Sequence, residues 1–184
     1  RKDAIVAKMT GGIEMLFRKN KITWLKGHGS FVGGKEGAWR IAISGDGTQE
    51  TVEATNVIVA TGSTARHLPG VPVDNEVVCD NVGALAFKNV PTRLGIIGAG
   101  VIGLELGSVW RRLGAKVTIL EALPTFLGAA DESVSREAWK LLTREQGLDI
   151  QLGVKIGKID VAASPGAVRI AYEHDGAEKH LECD

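Results

Sequence analysis

Leu94-Gly95-Ile96-Ile97-Gly98-Ala99-Gly100-Val101-Ile102-Gly103-Leu104-Glu105-Leu106-Gly107 decides the fold of this chain. The apolar run Leu94 to Ile97 fits a buried strand. A Gly-x-Gly-x-x-Gly turn follows, and then Val101 to Leu113 reads as a helix that Gly114 ends. Each glycine has its own physical task. Gly98 allows the tight turn, Gly100 lets a pyrophosphate approach the backbone, and Gly103 lets the helix pack against the strand. The helix start then offers unpaired N–H groups and about half a positive charge to phosphates. Gly107, four residues beyond Gly103, keeps the same helix face small.

Lys116 to Leu120 is expected to be the next strand, and an acid, Glu121, ends it. An acid there accepts hydrogen bonds from the adenosine ribose hydroxyls. Its charge repels a 2′-phosphate, and Ala122-Leu123-Pro124-Thr125 brings no arginine, so the pattern favours NAD over NADP. The bland alternatives are a glycine-rich turn without ligand and a solvated strand-end acid. Strand, turn, helix and acid in this order favour the nucleotide. Glu105 is placed on the apolar side of the motif helix, and the pattern alone leaves it equally a surface acid or a functional one.

Working outward, Asp131 is expected to cap a helix running to Gln146, with Gly147 stopping it. Asp149 to Leu152 is a third strand. Short alternating segments near Ile156–Val161, Val168–Glu173 and Lys179–Cys183, separated by Pro165-Gly166 and Asp175-Gly176, read as an antiparallel meander on a parallel βαβαβ core. In the other direction, Ile5, Met9, Ile13, Leu16 and Phe17 give residues 1–20 a helical apolar face, although Gly11-Gly12 cost about 1 kcal/mol each. Ile22 to Leu25 reads as a short strand. Trp39 to Ser44 and Thr51 to Ala54 form a hairpin about Gly45-Asp46-Gly47. Val57 to Ala60 reads as a buried strand stopping at Thr61-Gly62-Ser63. Residues 64–92 carry turns at Pro69-Gly70, Pro72 and Pro91, and read as a linker with a short helix near Val82 to Phe87.

Composition narrows the function classes. Over 184 residues, 22 basic and 22 acidic side chains balance, so no strong field draws nucleic acid or an anionic membrane. No apolar run approaches the roughly 20 residues of a membrane span, and Arg1-Lys2-Asp3 opens no signal peptide. Cys79 and Cys183 have neither disulfide-framework nor metal-ligand spacing, and each is expected to be an inert buried thiol. A reducing compartment fits best. His28, His67, His174 and His180 fall in turns or exposed strands, and none is a candidate general base. The ends read as cut, since Arg1 is not Met and the first helix starts without a cap.

The run from Gly98 through Glu105 and Leu106-Gly107-Ser108-Val109-Trp110, then Arg112-Leu113-Gly114-Ala115, resembles the pyridine nucleotide–disulfide oxidoreductase family. The continuation to Trp110 is similar to its lipoamide branch rather than its glutathione branch. Ala60-Thr61-Gly62-Ser63 is similar to the family's flavin-contacting segment, Lys26-Gly27-His28-Gly29 to the loop at the flavin adenine, and Thr10-Gly11-Gly12 to the helix before it. The likeness covers essentially the whole chain. It implies an α/β fold: a Rossmann-like NAD-binding domain at 93–184, with its parallel sheet and antiparallel meander. That domain is joined through 64–92 to part of a split FAD-binding domain at 1–63.

Further expectations come with the resemblance. FAD would meet Gly29, Thr61, Gly62 and Ser63. NAD would meet Gly98, Ala99, Gly100, Val101, Ile102 and Gly103, with Glu121 at the ribose, Glu105 near the nicotinamide and Ile156 flanking the adenine. The implied reaction is oxidation of dihydrolipoyl groups by NAD through a disulfide and FAD, in a homodimer. The implied protein partner is a lipoyl-bearing component of a 2-oxo acid dehydrogenase-type complex. The implied place is cytoplasmic, or the mitochondrial matrix in a eukaryote. No catalytic or metal-binding residue is expected in this chain. The family's Cys-x4-Cys pair would precede Arg1 and its His-Glu base would follow Asp184. Readings that stay open are a related disulfide reductase, an NADH oxidase, a mercuric reductase, or a nucleotide-binding module without chemistry.

Overall fold

Helix α1, Lys2–Lys19, forms as its apolar spacing predicts, with Arg18 and Lys19 favourably placed in its last turn. The Thr10 hydroxyl donates to the Val6 carbonyl at 3.0 Å beside the Gly11-Gly12 pair. In the computed structural model, residues 1–45, 47–161 and 168–184 are described. The turns expected about Asp46 and at Pro165-Gly166 therefore lie outside the described residues. The chain divides into two units, Arg1–Gly62 and Ser63–Asp184.

In the first unit, three antiparallel strands follow the helix: β1 His28–Lys35, β2 Ala38–Gly45 and β3 Thr48–Ala54, in that order across the sheet. The hairpin of β2 and β3 is the expected one. β1 is not the strand expected at Ile22–Leu25, which has no ladder partner among the described residues. Trp24 instead lies edge-on to Phe17, with ring centroids 5.8 Å apart, and carries the Lys26 ammonium 4.3 Å from its own ring. β1 is hidden in the sequence because Gly29, Gly33 and Gly34 depress its strand propensity. Gly34 sits at φ +115° where a Cβ would collide with the Ala38 carbonyl, so the hairpin needs that glycine.

Val57 to Ala60 corrects a second expectation. The segment forms no strand, and Ile58 is 90% and Val59 69% exposed. A strand exists through its ladder, and among the described residues none pairs with this one.

The second unit opens with a segment whose turns are set by carboxylates, while Val77, Val78 and Phe87 pack against its cores. Asp74 Oδ1 accepts from the N–H groups of Glu76, Val77 and Val78, which hold its carboxyl below the usual range. Asp80 caps helix α2, Asn81–Ala84, through the N–H groups of Val82 and Gly83. Its other oxygen meets His67 Nε2 at 3.2 Å. The helix is thus shorter than the Val82–Phe87 reading and starts earlier, where the cap sets it.

From Arg93 the order is strand, helix, strand, helix, strand. β4 Arg93–Ile97, β5 Lys116–Leu120 and β6 Asp149–Gln151 form a parallel sheet in that order. Helix α3, Val101–Arg112, crosses from β4 to β5. Helix α4, Glu132–Lys140, crosses from β5 to β6 and is N-capped by Asp131. The single helix expected to reach Gln146 changes to π-helical turns at Leu141–Glu145, where Gln146 N–H reaches the Leu141 carbonyl, before Gly147 turns at φ +72°. The meander follows as β7 Lys155–Val161, β8 Val168–His174 and β9 Ala177–Cys183, antiparallel in sequence order. The fold is α/β, with a parallel sheet and an antiparallel meander, as expected.

Two cores hold this unit. Ala115, Val117 and Ile119 on or beside β5 pack with Leu104 and Trp110 of α3. Burying a side chain such as Ile119, which is 0% exposed, is worth about 1.5–3 kcal/mol. On the other face Leu120 packs with Val154, Ile170, Tyr172 and Cys183, joining the parallel sheet to the meander. Gly95 admits Cys183 at that join, because a Cβ there would overlap the sulfur. The Arg93 guanidinium clasps Asp184 at 2.7 and 3.0 Å, and the two backbones also bond to each other.

Burial pushes the Cys183 thiol up to about 11 and raises Cys79 as well, which is only half-buried. Three units above pH 8 leave about one thiolate in a thousand at Cys183. Peptide-resolved labelling of the native protein at that pH is expected to spare Cys183 until unfolding. Prompt native labelling of Cys183 would contradict this packing.

Candidate nucleotide-binding site

The site begins where β4 ends. Gly98 takes φ +103°, a conformation that side-chain-bearing residues rarely adopt, and its N–H donates to the Leu120 carbonyl at 2.8 Å. The turn is thereby fastened to the end of β5. Gly100 is the N-cap of α3 at φ −72°, and no capping side chain covers the helix start. A Cβ built on Gly100 meets nothing within 4 Å, so the space over the turn is open. At Gly103 a Cβ would overlap the Gly98 carbonyl, which is why helix and turn can approach so closely. Gly107 performs the packing role assigned to it: a Cβ there would lie 3.1 Å from Ile96 and 3.2 Å from Ile119. The three glycines of the motif therefore serve three different needs: turn conformation, open space and close packing.

Glu121 follows β5 directly. Its Oε2 accepts the Ala99 N–H at 2.7 Å, and its Oε1 accepts the Leu123 N–H at 2.8 Å. Its own backbone is fixed from β6 and the residues after it: its N–H donates to Gln151 O at 2.8 Å, and its carbonyl accepts from Val154 N–H at 3.0 Å. Each carboxylate oxygen accepts about two hydrogen bonds, so two acceptor positions remain for hydroxyl groups. The acid, the open turn and the uncapped helix start are brought together as the sequence spacing implied.

The other expected residues are placed as follows. Val101 and Ile102 are 63% and 59% exposed on the first turn of α3. Glu105, one turn on, is exposed on the same face with Val109, so the apolar side assigned to it is an exposed one, opposite the buried Leu104, Gly107 and Trp110. Ile156 lies on β7 across from Tyr172 and packs partly into the second core. In the first unit Gly29 is on β1 opposite Ile43. Thr61 and Gly62, at φ +74°, are exposed and outside any strand, as is Ser63 where the second unit begins. The Ala99 and Leu123 N–H groups were missed by sequence reasoning. No residue type signals them, because backbone geometry alone aims them at Glu121.

Among the described residues no three His, Cys, Asp or Glu side chains converge as a metal site. No helix among them is long and apolar enough to cross a membrane. His67 pairs with Asp80.

Comparison with known proteins gives the geometry a family context. A family model described as pyridine nucleotide-disulphide oxidoreductase matches residues 2–184. A dihydrolipoyl dehydrogenase of Cupriavidus necator is 58% identical over 185 residues, covering 100% of this chain and 38% of that protein. Dihydrolipoyl dehydrogenase 3 of Pseudomonas aeruginosa is 44% identical over 188 residues, with 100% and 38% covered. The chain thus spans 38% of the length of these two relatives. The solved structure of LpdA from Mycobacterium tuberculosis matches 98% of this chain and 39% of its own at a TM-score of 0.82. With 21% identity, that is a likeness of fold alone.

Proposed function

The chain belongs to the pyridine nucleotide-disulphide oxidoreductase family, and from that premise we propose that it is the central FAD- and NAD-binding part of a flavoprotein that oxidises dihydrolipoyl groups with NAD. FAD and NAD are the family's cofactors, and they supply the hydride and electron transfer. The single observation that carries the nucleotide assignment is the open Gly100 position facing an uncapped helix start, beside a carboxylate held by the turn itself.

The chain's own residues then have defined tasks. The N–H groups at the start of α3 hold the pyrophosphate, and Gly100 leaves it room. Glu121 takes the adenosine ribose hydroxyls on its remaining acceptor positions. Val101 and Ile102 present an apolar surface to the nicotinamide and keep water from it, with Glu105 one turn away. Ile156 flanks the adenine. In residues 1–63, Gly29, Thr61, Gly62 and Ser63 serve FAD. The apolar Val57 to Ala60 run fits a strand that pairs within a complete flavin domain. The reacting disulfide is not among these 184 residues, whose cysteines are Cys79 and Cys183. The protein partner is the lipoyl-bearing component of a 2-oxo acid dehydrogenase-type complex, the assembly a homodimer, and the compartment the cytoplasm or a mitochondrial matrix.

The test uses dihydrolipoamide and NAD with the full-length protein, following NADH formation. Turnover is expected. If NADH reduces the bound flavin but dihydrolipoamide gives no NADH, the substrate is another thiol or disulfide. The 184-residue chain alone is expected to give no turnover, because no Cys-x4-Cys pair is present in it. Dihydrolipoamide oxidation by that chain would refute this division of labour.

A further inference from the structure

We propose that Glu121 has a second task, resting on the nucleotide site above: it sets the shape of the glycine turn before any nucleotide arrives. Two successive N–H groups of the turn are fastened to the end of β5. Gly98 N–H is held by the Leu120 carbonyl, and Ala99 N–H by the Glu121 carboxylate. Ala99 is 3% exposed, so without the carboxylate its N–H would lose its partner with little water at hand to replace it. The bond is charge-assisted and short at 2.7 Å, the stronger kind. The carboxylate is held in place, because Leu123 N–H bonds its other oxygen, and Gln151 of β6 and Val154 just beyond it bond its backbone. One side chain therefore both braces the phosphate turn and faces the ribose. The phosphate turn is preorganised by the same residue that reads the sugar. Changing that acid to alter nucleotide choice would also loosen the turn.

The two tasks separate with an NAD analogue whose adenosine ribose lacks both hydroxyls. A carboxylate that served only the ribose would be irrelevant to that analogue. Glu121→Gln keeps the size of the side chain but offers one oxygen where two N–H groups wait. In the full-length holoenzyme, this variant is expected to bind the analogue about tenfold more weakly than the parent, the cost of one hydrogen bond to a charged group. Hydrogen exchange of the nucleotide-free enzyme supplies the second readout. Exchange in the Gly98–Val101 and Leu123 segments is expected to rise about tenfold, while that of Val117 and Ile119 in the core stays unchanged. Unchanged analogue affinity with unchanged exchange at the turn overturns the brace. A parent enzyme that binds neither NAD nor the analogue refutes the nucleotide reading instead, and the exchange comparison then decides the brace alone.

Discussion

Replacing Gly103 with Ala is expected to lower stability and to remove most NAD affinity together. In an ordinary helix position, glycine to alanine gains about 1 kcal/mol. Here the sign reverses, because the added Cβ overlaps the Gly98 carbonyl and also presses on Ile96. The overlapped atom is backbone, so relief requires α3 to move off β4 or the turn to open. Overpacking of this kind costs about 1–3 kcal/mol, and the displaced turn no longer presents its N–H groups together. Gly100→Ala supplies the contrast. Its φ of −72° suits alanine, and its Cβ meets no protein atom. It should keep the melting temperature of the parent and still bind NAD more weakly, on the order of tenfold or more, because the methyl group occupies the phosphate's space. Thermal denaturation and NAD titration of the two variants check both halves. A Gly100→Ala protein with unaltered NAD affinity would place the phosphate elsewhere.

Replacing Glu121 with Ala should cost NAD much more than NADP. NAD loses one or two hydrogen bonds to a charged acceptor, each about 1.5–3 kcal/mol, or roughly tenfold or more in affinity. NADP loses the brace on the turn as well but is relieved of repulsion between the carboxylate and its 2′-phosphate. The ratio of the two affinities should therefore fall by about tenfold or more. Equal losses for the two nucleotides would count against Glu121 at the ribose. The residues that follow Glu121, Ala122-Leu123-Pro124-Thr125, carry no positive charge to attract a 2′-phosphate.

Those two positions also mark what the sequence made legible. From Arg93 onward the second unit is legible in the sequence almost to the residue, because nearly every element carries its own signal. β5 is a run of core residues, α3 has Leu104, Gly107 and Trp110 on one face, and Asp131 caps α4. Local pattern and packing agree there. The first unit is less legible. Gly29, Gly33 and Gly34 hide β1, whose pairing with β2 outweighs its weak propensity. Val57 to Ala60 has strand composition without a ladder, and composition cannot supply a partner. The π-helical turns after Lys140 are invisible for another reason. A helix widened by one residue per bond keeps nearly the same apolar spacing over so short a stretch.

The geometry of the glycine turn and its acid is legible in the sequence to the level of side chains and not below it. Gly98, Gly100, Gly103 and Glu121 stand where their spacing implied. The part sequence reasoning could not reach is that Glu121 already grips the turn through Ala99 N–H and is itself held by Gln151 and Val154. These are backbone partners, common to nearly every residue type, so only the folded chain reveals them.

The most direct test of the account adds NADH to the full-length flavoprotein without oxygen and records the flavin absorbance. Bleaching in the parent, much weakened in Gly100→Ala at equal NADH, is the result that follows from a nucleotide seated on this turn and delivering its hydride to the flavin. A flavin that stays oxidised in the parent, or one that bleaches equally in both proteins, would contradict it.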